Sequence, residues 1–271
     1  MACLRSKDTV TLHAADVMAP FPGAPANVTP KFYYLPVVDG SFSPDYLYNL
    51  LEQGRLVRVP VIVGDDTDEG SGFTPNVASS EQFLQFIKAN FPHLTKRELG
   101  IMKKLYPLGI PFPQHEPWFT PAMMAYGEST FICPGLEITK SVAVYLTPGK
   151  VWNYRYNVHD DQNVAAGLGV PHVSEKPAIY GPGNAGSCDN CSYLTYNKPM
   201  VPIVMNYWIS FIRSLDPNTH KDSSAPEWQP WGFQGNRRLK IELDATGMEP
   251  VPRDLLERCL LWKSLVPITQ Q

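Results

Sequence analysis

LVRVPVIVGDDTDEGSGF, from Leu56 to Phe73, sets an apolar run directly against an acidic, glycine-bearing turn. Val57, Val59, Val61, Ile62 and Val63 form a near-continuous β-branched series ended by Gly64, which predicts a buried strand of a parallel sheet. Ligands in such sheets bind beyond the carboxyl ends of the strands, so Asp65, Asp66, Asp68 and Glu69 arrive at the edge where an active site belongs. The competing reading is a solvated acidic loop, because loops are where charges ordinarily sit.

A second segment bears on that choice. In KVWNYRYNV, Lys150 to Val158, Val151, Tyr154, Tyr156 and Val158 are spaced as in a strand, and a glycine-rich connection then leads to GVPHVSE with His172 and Glu175. An acid after one strand and a histidine after a later one reproduce the last two steps of the chain order serine, acid, histidine of α/β-hydrolases. A nucleophile is then expected upstream.

Further segments follow in a fixed order: CLRSKD at Cys3 to Asp8, PVVDGSF at Pro36 to Phe42, VPVIVGDDTDEG at Val59 to Gly70 and YGESTFICPG at Tyr126 to Gly135. GVPHVSE at Gly169 to Glu175, MNYWISFIRSLDPN at Met205 to Asn218 and EWQPWG at Glu227 to Gly232 complete the series. Each is weak alone. Together the chain resembles, nearly end to end, the C-terminal half of a type-B carboxylesterase, the family of fungal lipases, carboxylesterases and cholinesterases. The resemblance implies an α/β class, the C-terminal part of an α/β-hydrolase fold with a mostly parallel sheet flanked by helices, and residues 1–271 as the C-terminal portion of one carboxylesterase domain. It also implies that Glu69, in the DEG turn, is the catalytic acid and His172 the base. His172 would take the proton of a serine hydroxyl and return it to the leaving alcohol, while Glu69 would hold the other ring N–H and stabilise the imidazolium. Asp68 could serve by chemistry alone, but the family pattern selects its neighbour.

The nucleophile elbow requires G-x-S-x-G, since glycines on both sides permit the strained strand-to-helix turn. No serine in the sequence satisfies it. Ser129 has Gly127 two residues before it, but Phe131 stands where the second glycine should be and the chain order is wrong; Ser71 has Glu69 in place of the first glycine. The oxyanion-hole glycines expected in the family's N-terminal half are missing too. The reading is therefore a C-terminal fragment of a serine ester hydrolase, inactive by itself, whose small-molecule or lipid ester cannot be named from this half. The second reading is a cholinesterase-like binding or adhesion module; retention of both Glu69 and His172 favours the hydrolase, because a binding module needs neither. A sheet cut beside its central strands also exposes an edge and apolar faces, so weak stability is expected of the chain alone.

Five cysteines are an odd number. The resemblance implies a long-range disulfide between Cys133 and Cys259, as in cholinesterase-type members, and leaves Cys3 without its upstream partner. Cys188 and Cys191 have CxxC spacing, but one such pair supplies only two of the four ligands of a structural zinc, so a local disulfide is expected and neither a metal nor a cofactor.

Composition sets wider bounds. With 44% hydrophobic and 18% charged residues in 271, the chain can bury a sizeable core, and a net charge of −3 without basic runs gives no reason to expect nucleic acid. No stretch has the roughly 18 unbroken apolar residues of a membrane span, and MACLRSKDTV lacks the apolar core of a signal peptide. The sequons at Asn27 and Asn190, with the paired cysteines, nevertheless suggest a secreted parent protein.

Among the remaining elements, Met18 to Thr29 reads as a surface loop. Ser79-Ser80-Glu81 opens a helix carrying Phe83, Phe86 and Ile87, and Thr95 with Glu98 forms a capping box for a helix to about Tyr106. Pro107, Pro111 and Pro113 then enforce a break. Helices are predicted from about Phe131 to Tyr145, from Val201 to Leu215 with Val204, Tyr207, Trp208, Phe211 and Ile212 on one face, and from Asp254 to about Leu265. Trp228 to Phe233 is expected to pack rather than to bind sugar. Leu239, Ile241 and Leu243 predict a terminal strand.

Overall fold

The computed structural model describes residues 2–15, 32, 34–147, 149–186 and 191–270. The loop expected at Met18 to Thr29, both sequon asparagines and Cys188 lie outside the described residues. Four strands lie side by side in chain order: β1 Val61–Asp66, β2 Val151–Tyr156, β3 Arg237–Ile241 and β4 Gly247–Pro250. β1, β2 and β3 are parallel, and β4 returns antiparallel to β3. Helices cover both faces, so the α/β class read from the sequence is the architecture observed.

The strand alternation sorts the side chains. On β2, Trp152, Tyr154 and Tyr156 enter a core with Val204 and Tyr207 of the helix Met200–Ser214, together with Trp228, Leu239 and Ile241. Val151 joins the opposite core, built on Phe83, Ile87, Leu136 and Trp262. Asn153 faces that side as well: its amide donates to Thr139 Oγ1 (3.0 Å) on the helix Cys133–Tyr145. Both faces being covered, β2 is almost wholly buried.

Three expectations are corrected. Val57 and Val59 are not in a strand; they are 76% and 46% exposed, and Val59 N–H donates to Val57 O in a tight turn. The ladder begins at Val61, whose N–H reaches Lys150 O where β2 starts, so residues upstream of it have no strand to pair with among the described residues. Gly64 does not end the strand either. The strand continues to Asp66, and glycine stands at 64 because the Tyr154 ring lies over it: a Cβ there would be 2.2 Å from Tyr154 Cδ1. The segment expected as one terminal strand is a hairpin, β3 to β4, closed by Thr246 Oγ1, which accepts from Glu242 N–H and donates to Glu242 O. Leu243 falls in that turn.

A helix at Phe119–Gly127 has no counterpart in the sequence reading. It is buried nearly all round, so its apolar residues make no stripe of helical period. A π-helical turn, Glu128–Ile132, joins it to Cys133–Tyr145, so the helix predicted from Phe131 is the later part of a longer run. The other helices form as read. Ser79 Oγ accepts Gln82 N–H at the head of Ser80–Asn90, and Thr95 with Glu98 makes the capping box of Lys96–Leu105. Of the apolar residues on Met200–Ser214, Val204 and Tyr207 are buried while Ile212 is exposed.

The last long helix, Arg253–Ser264, is tied to the body by polar contacts and by a disulfide. Arg258 donates to both oxygens of buried Glu128, whose Oε2 also accepts from Tyr106, and Trp262 Nε1 donates to Tyr106 Oη. Cys133 and Cys259 form a disulfide across 126 residues of chain. Cys191 is also disulfide-bonded, and Cys3 is free and exposed. A bridge closing so long a loop removes much denatured-state entropy, so Cys133→Ser with Cys259→Ser is expected to lower stability by about 4 kcal/mol, read as a reduced urea midpoint that reductant reproduces in the unsubstituted chain.

Candidate active site

β1 delivers two carboxylates to opposite faces. Asp65 pairs in register with Arg155 and Asp66 with Tyr156. Asp65 lies on the side of Arg238, whose guanidinium donates to it at 3.2 Å while also donating to Glu249 (2.9 Å); Arg155 meets Glu249 at 2.7 Å. Burial raises Asp65 to about 7, and Arg238 offsets part of that rise. Asp66 points to the tyrosine side, where burial and the neighbouring Glu175 carboxylate raise it far more.

Beyond β1 the chain turns back through Thr67, Asp68 and Glu69. Thr67 N–H still reaches Tyr156 O, as if the ladder went one residue further. Asp68 then clamps the histidine-bearing loop from both sides: its N–H donates to Val170 O and its Oδ2 accepts Val170 N–H, each at 2.9 Å. Gly70 lets the turn lie against the helix Phe119–Gly127, since a Cβ at 70 would stand 2.1 Å from Met123 O. In this frame Glu69 is 5% exposed, with Oε1 accepting Asp66 N–H at 2.8 Å.

The clamp brings together residues 103 apart in sequence: His172 Nδ1 and Glu69 Oε2 are 2.6 Å apart. The short contact to a buried carboxylate raises the His172 pKa above its ordinary value, against the opposing effect of partial burial. The ring is boxed by aromatics, stacked on Phe131 at 4.4 Å between centroids and tilted to Phe73 at 5.6 Å. Phe131 is carried there by the π-helical turn, a device common at functional sites. Val173, directly after the histidine, has φ +68°, a left-handed conformation that costs a β-branched residue about 1–3 kcal/mol and persists only where surrounding bonds fix it.

Glu69 and His172, the two site residues singled out in the sequence, are thus side by side. Asp68 is occupied with the Val170 backbone. Ser129, fully buried, donates Oγ to Tyr126 O within its own helix, and Ser71 is buried too. Sequence reasoning missed the stacking of Phe131, for which a π turn leaves no local pattern, and the proximity of Asp66 to Glu175. Alternation along β1 was the signal for the latter: it separates Asp65 from Asp66 once the register is known.

Asp66, Glu69 and His172 place three potential ligand atoms within 4.8 Å of one another, but a cation there would have to displace the Glu69–His172 hydrogen bond. A cleft of about 120 Å³ beside the turn is lined by Asp65, Glu69, Gly127, Arg155 and Arg238. A larger one of about 420 Å³, lined by Lys140, Val144, Val151, Trp231 and Phe233, lies at the opposite, amino-terminal end of β2, away from these groups.

A histidine raised on folding adds stability that is fully present below its unfolded pKa and is lost as pH rises through the folded one. His172 is therefore expected to titrate above about 6.5 by NMR, and Glu69→Gln to lower that value; an unchanged titration in the variant would show that the carboxylate does not act on the ring.

The model of the carboxylesterase family matches residues 1–257. A crystal structure of EstA from Aspergillus niger superposes with a TM-score of 0.95 at 44% identity, over 99% of this chain and 52% of that one. Secreted lipase 4 of Gibberella zeae is 26% identical over 78% of this chain and 37% of its own length, and an acetylcholinesterase of Bungarus fasciatus 24% identical over 98% and 44%. The chain thus spans about half, or less, of the proteins it matches. With the family model covering nearly all of it, the chain belongs to the carboxylesterase family.

Proposed function

We propose that this chain supplies the acid and the base of a serine carboxylic ester hydrolase, as the C-terminal portion, residues 1–271, of one carboxylesterase domain. The observation that carries the reading is the 2.6 Å contact between His172 Nδ1 and the buried carboxylate of Glu69 at the carboxyl end of β1. With Nδ1 held, Nε2 is the nitrogen left to accept a hydroxyl proton. The serine itself comes from polypeptide outside this sequence, which has no G-x-S-x-G. β1 has no strand on its outer side among the described residues, so a further strand can add there and bring a nucleophile beside His172.

In the reaction so assembled, His172 takes the serine proton as the oxygen attacks the ester carbonyl. The tetrahedral intermediate expels the alcohol, which leaves with that proton. Water then attacks the acyl-enzyme, His172 again accepting a proton and returning it to the serine. Glu69 keeps the tautomer and stabilises the imidazolium in both halves. The substrate is a small-molecule or lipid ester. Relatives named as secreted lipases support an extracellular site of action, where the disulfide of Cys133 and Cys259 would persist. No helix of the described residues is long and apolar enough to cross a membrane. A non-catalytic binding module would explain the missing elbow but not a buried acid aimed at a histidine.

Hydrolysis of a p-nitrophenyl ester tests the proposal. The chain alone is expected to show no turnover above buffer. Joined to a family N-terminal half bearing the elbow, it is expected to turn over, with kcat falling roughly 10⁴-fold in Glu69→Gln or His172→Ala. Turnover by the isolated chain that His172→Ala abolishes would overturn the need for an outside serine, and joined activity indifferent to both substitutions would overturn the assignment.

A further inference from the structure

The cavity of about 420 Å³ at the amino-terminal end of β2 plays no part in the Glu69–His172 arrangement. Its volume falls within the roughly 300–1,000 Å³ of small-molecule sites. Val144, Val151, Pro230, Trp231 and Phe233 give it apolar walls, and among the described residues Lys140 is the one charged side chain of the lining. One wall is fixed in place: Trp231 is buried, and its N–H donates to Val151 O at 2.7 Å. The rim is bare. Val144 is 74% and Phe233 68% exposed, apolar surface whose removal from water is favourable.

Lys140 lacks an anion. It stands half-buried on the helix Cys133–Tyr145, one turn after Glu137, but Glu137 Oε1 is taken by Lys263 Nζ at 2.6 Å, and Lys263 also holds Glu52 at 2.9 Å. Among the described residues no carboxylate comes within ion-pair distance of Lys140. Burial is the largest influence on its pKa and lowers it, against the opposing pull of Glu137. An ammonium partly withdrawn from water with no partner gains from an anion that can donate it a short, charge-assisted contact.

We propose that this cavity binds an alkyl carboxylate, with the carboxylate on Lys140 and the chain along Trp231, Phe233 and Val144. The two parts of such a ligand answer the two parts of the site, one supplying the missing charge and the other covering the bare rim. The loop bearing Trp231 and Phe233 leads into β3, across β2 from the open edge of β1, so a strand added at that edge is not the occupant. The choice of a carboxylate among amphiphilic anions rests on the reading of this family site as an ester hydrolase, whose acid product has that form. Held at the opposite end of β2, the product leaves His172 free.

Isothermal titration of decanoate into the full chain, below the concentration at which decanoate aggregates, tests the proposal. Saturable binding at one site is expected. Lys140→Met, which keeps the length of the side chain and removes its charge, should weaken it about tenfold. Val144→Asp, an exposed substitution that sets an anion at the rim, should weaken it as well, with the urea midpoint of the chain unchanged. Acetate, which has the charge without the chain, and decanol, which has the chain without the charge, should both bind more weakly than decanoate. Decanoate binding indifferent to both substitutions, or equalled by decanol, would overturn the site, and a preference for decyl phosphate would overturn the choice of carboxylate. Binding lost when the chain is joined to a family N-terminal half would show that polypeptide covers the cavity and would overturn the proposal too. No arm requires turnover, so failure here and failure of the hydrolase reading are told apart.

Discussion

The in-register parallel pairing of β1 on β2 is the constraint on which the site depends. Because side chains alternate along a strand, opposing Asp65 to Arg155 and Asp66 to Tyr156 decides at once which carboxylate meets guanidinium and which meets aromatic surface. A slip of one residue along β1 would exchange them and turn Asp65 into the tyrosine core, away from Arg238. Gly64 and Tyr154 work against that slip, since the ring occupies the space that any side chain at 64 would need. The glycine that looks like the end of a strand in the sequence is thus part of what sets its register.

From that register the turn follows. Asp68 binds Val170 through both backbone and side chain, and this clamp rather than the dyad fixes the distance between the two loops; Glu69 and His172 then need only meet. The division of labour has an electrostatic reason. A carboxylate that must stabilise an imidazolium is most effective in a site where other charges are paired or absent, because its field is then not spent on neighbours. Asp65 is paired by Arg238, Asp68 accepts a backbone N–H, and Glu128, raised by burial, is held by Arg258. The acidity so conspicuous in the sequence is largely accounted for by these fixed partners.

Much of this was legible in the residues and some was not. The β2 strand, the capping box at Thr95, the acid turn and the histidine could be read because each has a local pattern or a family motif. The start of β1 at Val61 could not, since Val57 and Val59 have equal strand propensity and only the absence of a partner strand among the described residues excludes them. The helix Phe119–Gly127 escaped for the opposite reason: burial on every side erases the period that reveals a helix. The hairpin at Glu242 to Thr246 rests on a threonine hydroxyl reaching its own loop, a bond that strand periodicity does not encode.

The aromatic box around His172 extends the same logic to dynamics. In the proposed reaction His172 shuttles a proton twice per turnover and has to keep its ring plane in both charge states; a hydrogen bond through Nδ1 fixes one atom but leaves rotation about that bond. Phe131, stacked on the ring, opposes the rotation and offers its π face to the imidazolium form. The π turn that aims Phe131 also carries Glu128, and Glu128 anchors Arg258 of the helix that the disulfide ties down. Fixing that helix therefore also fixes the wall of the candidate site, so the distant bridge and ion pair bear on the site's geometry as much as on the fold's stability.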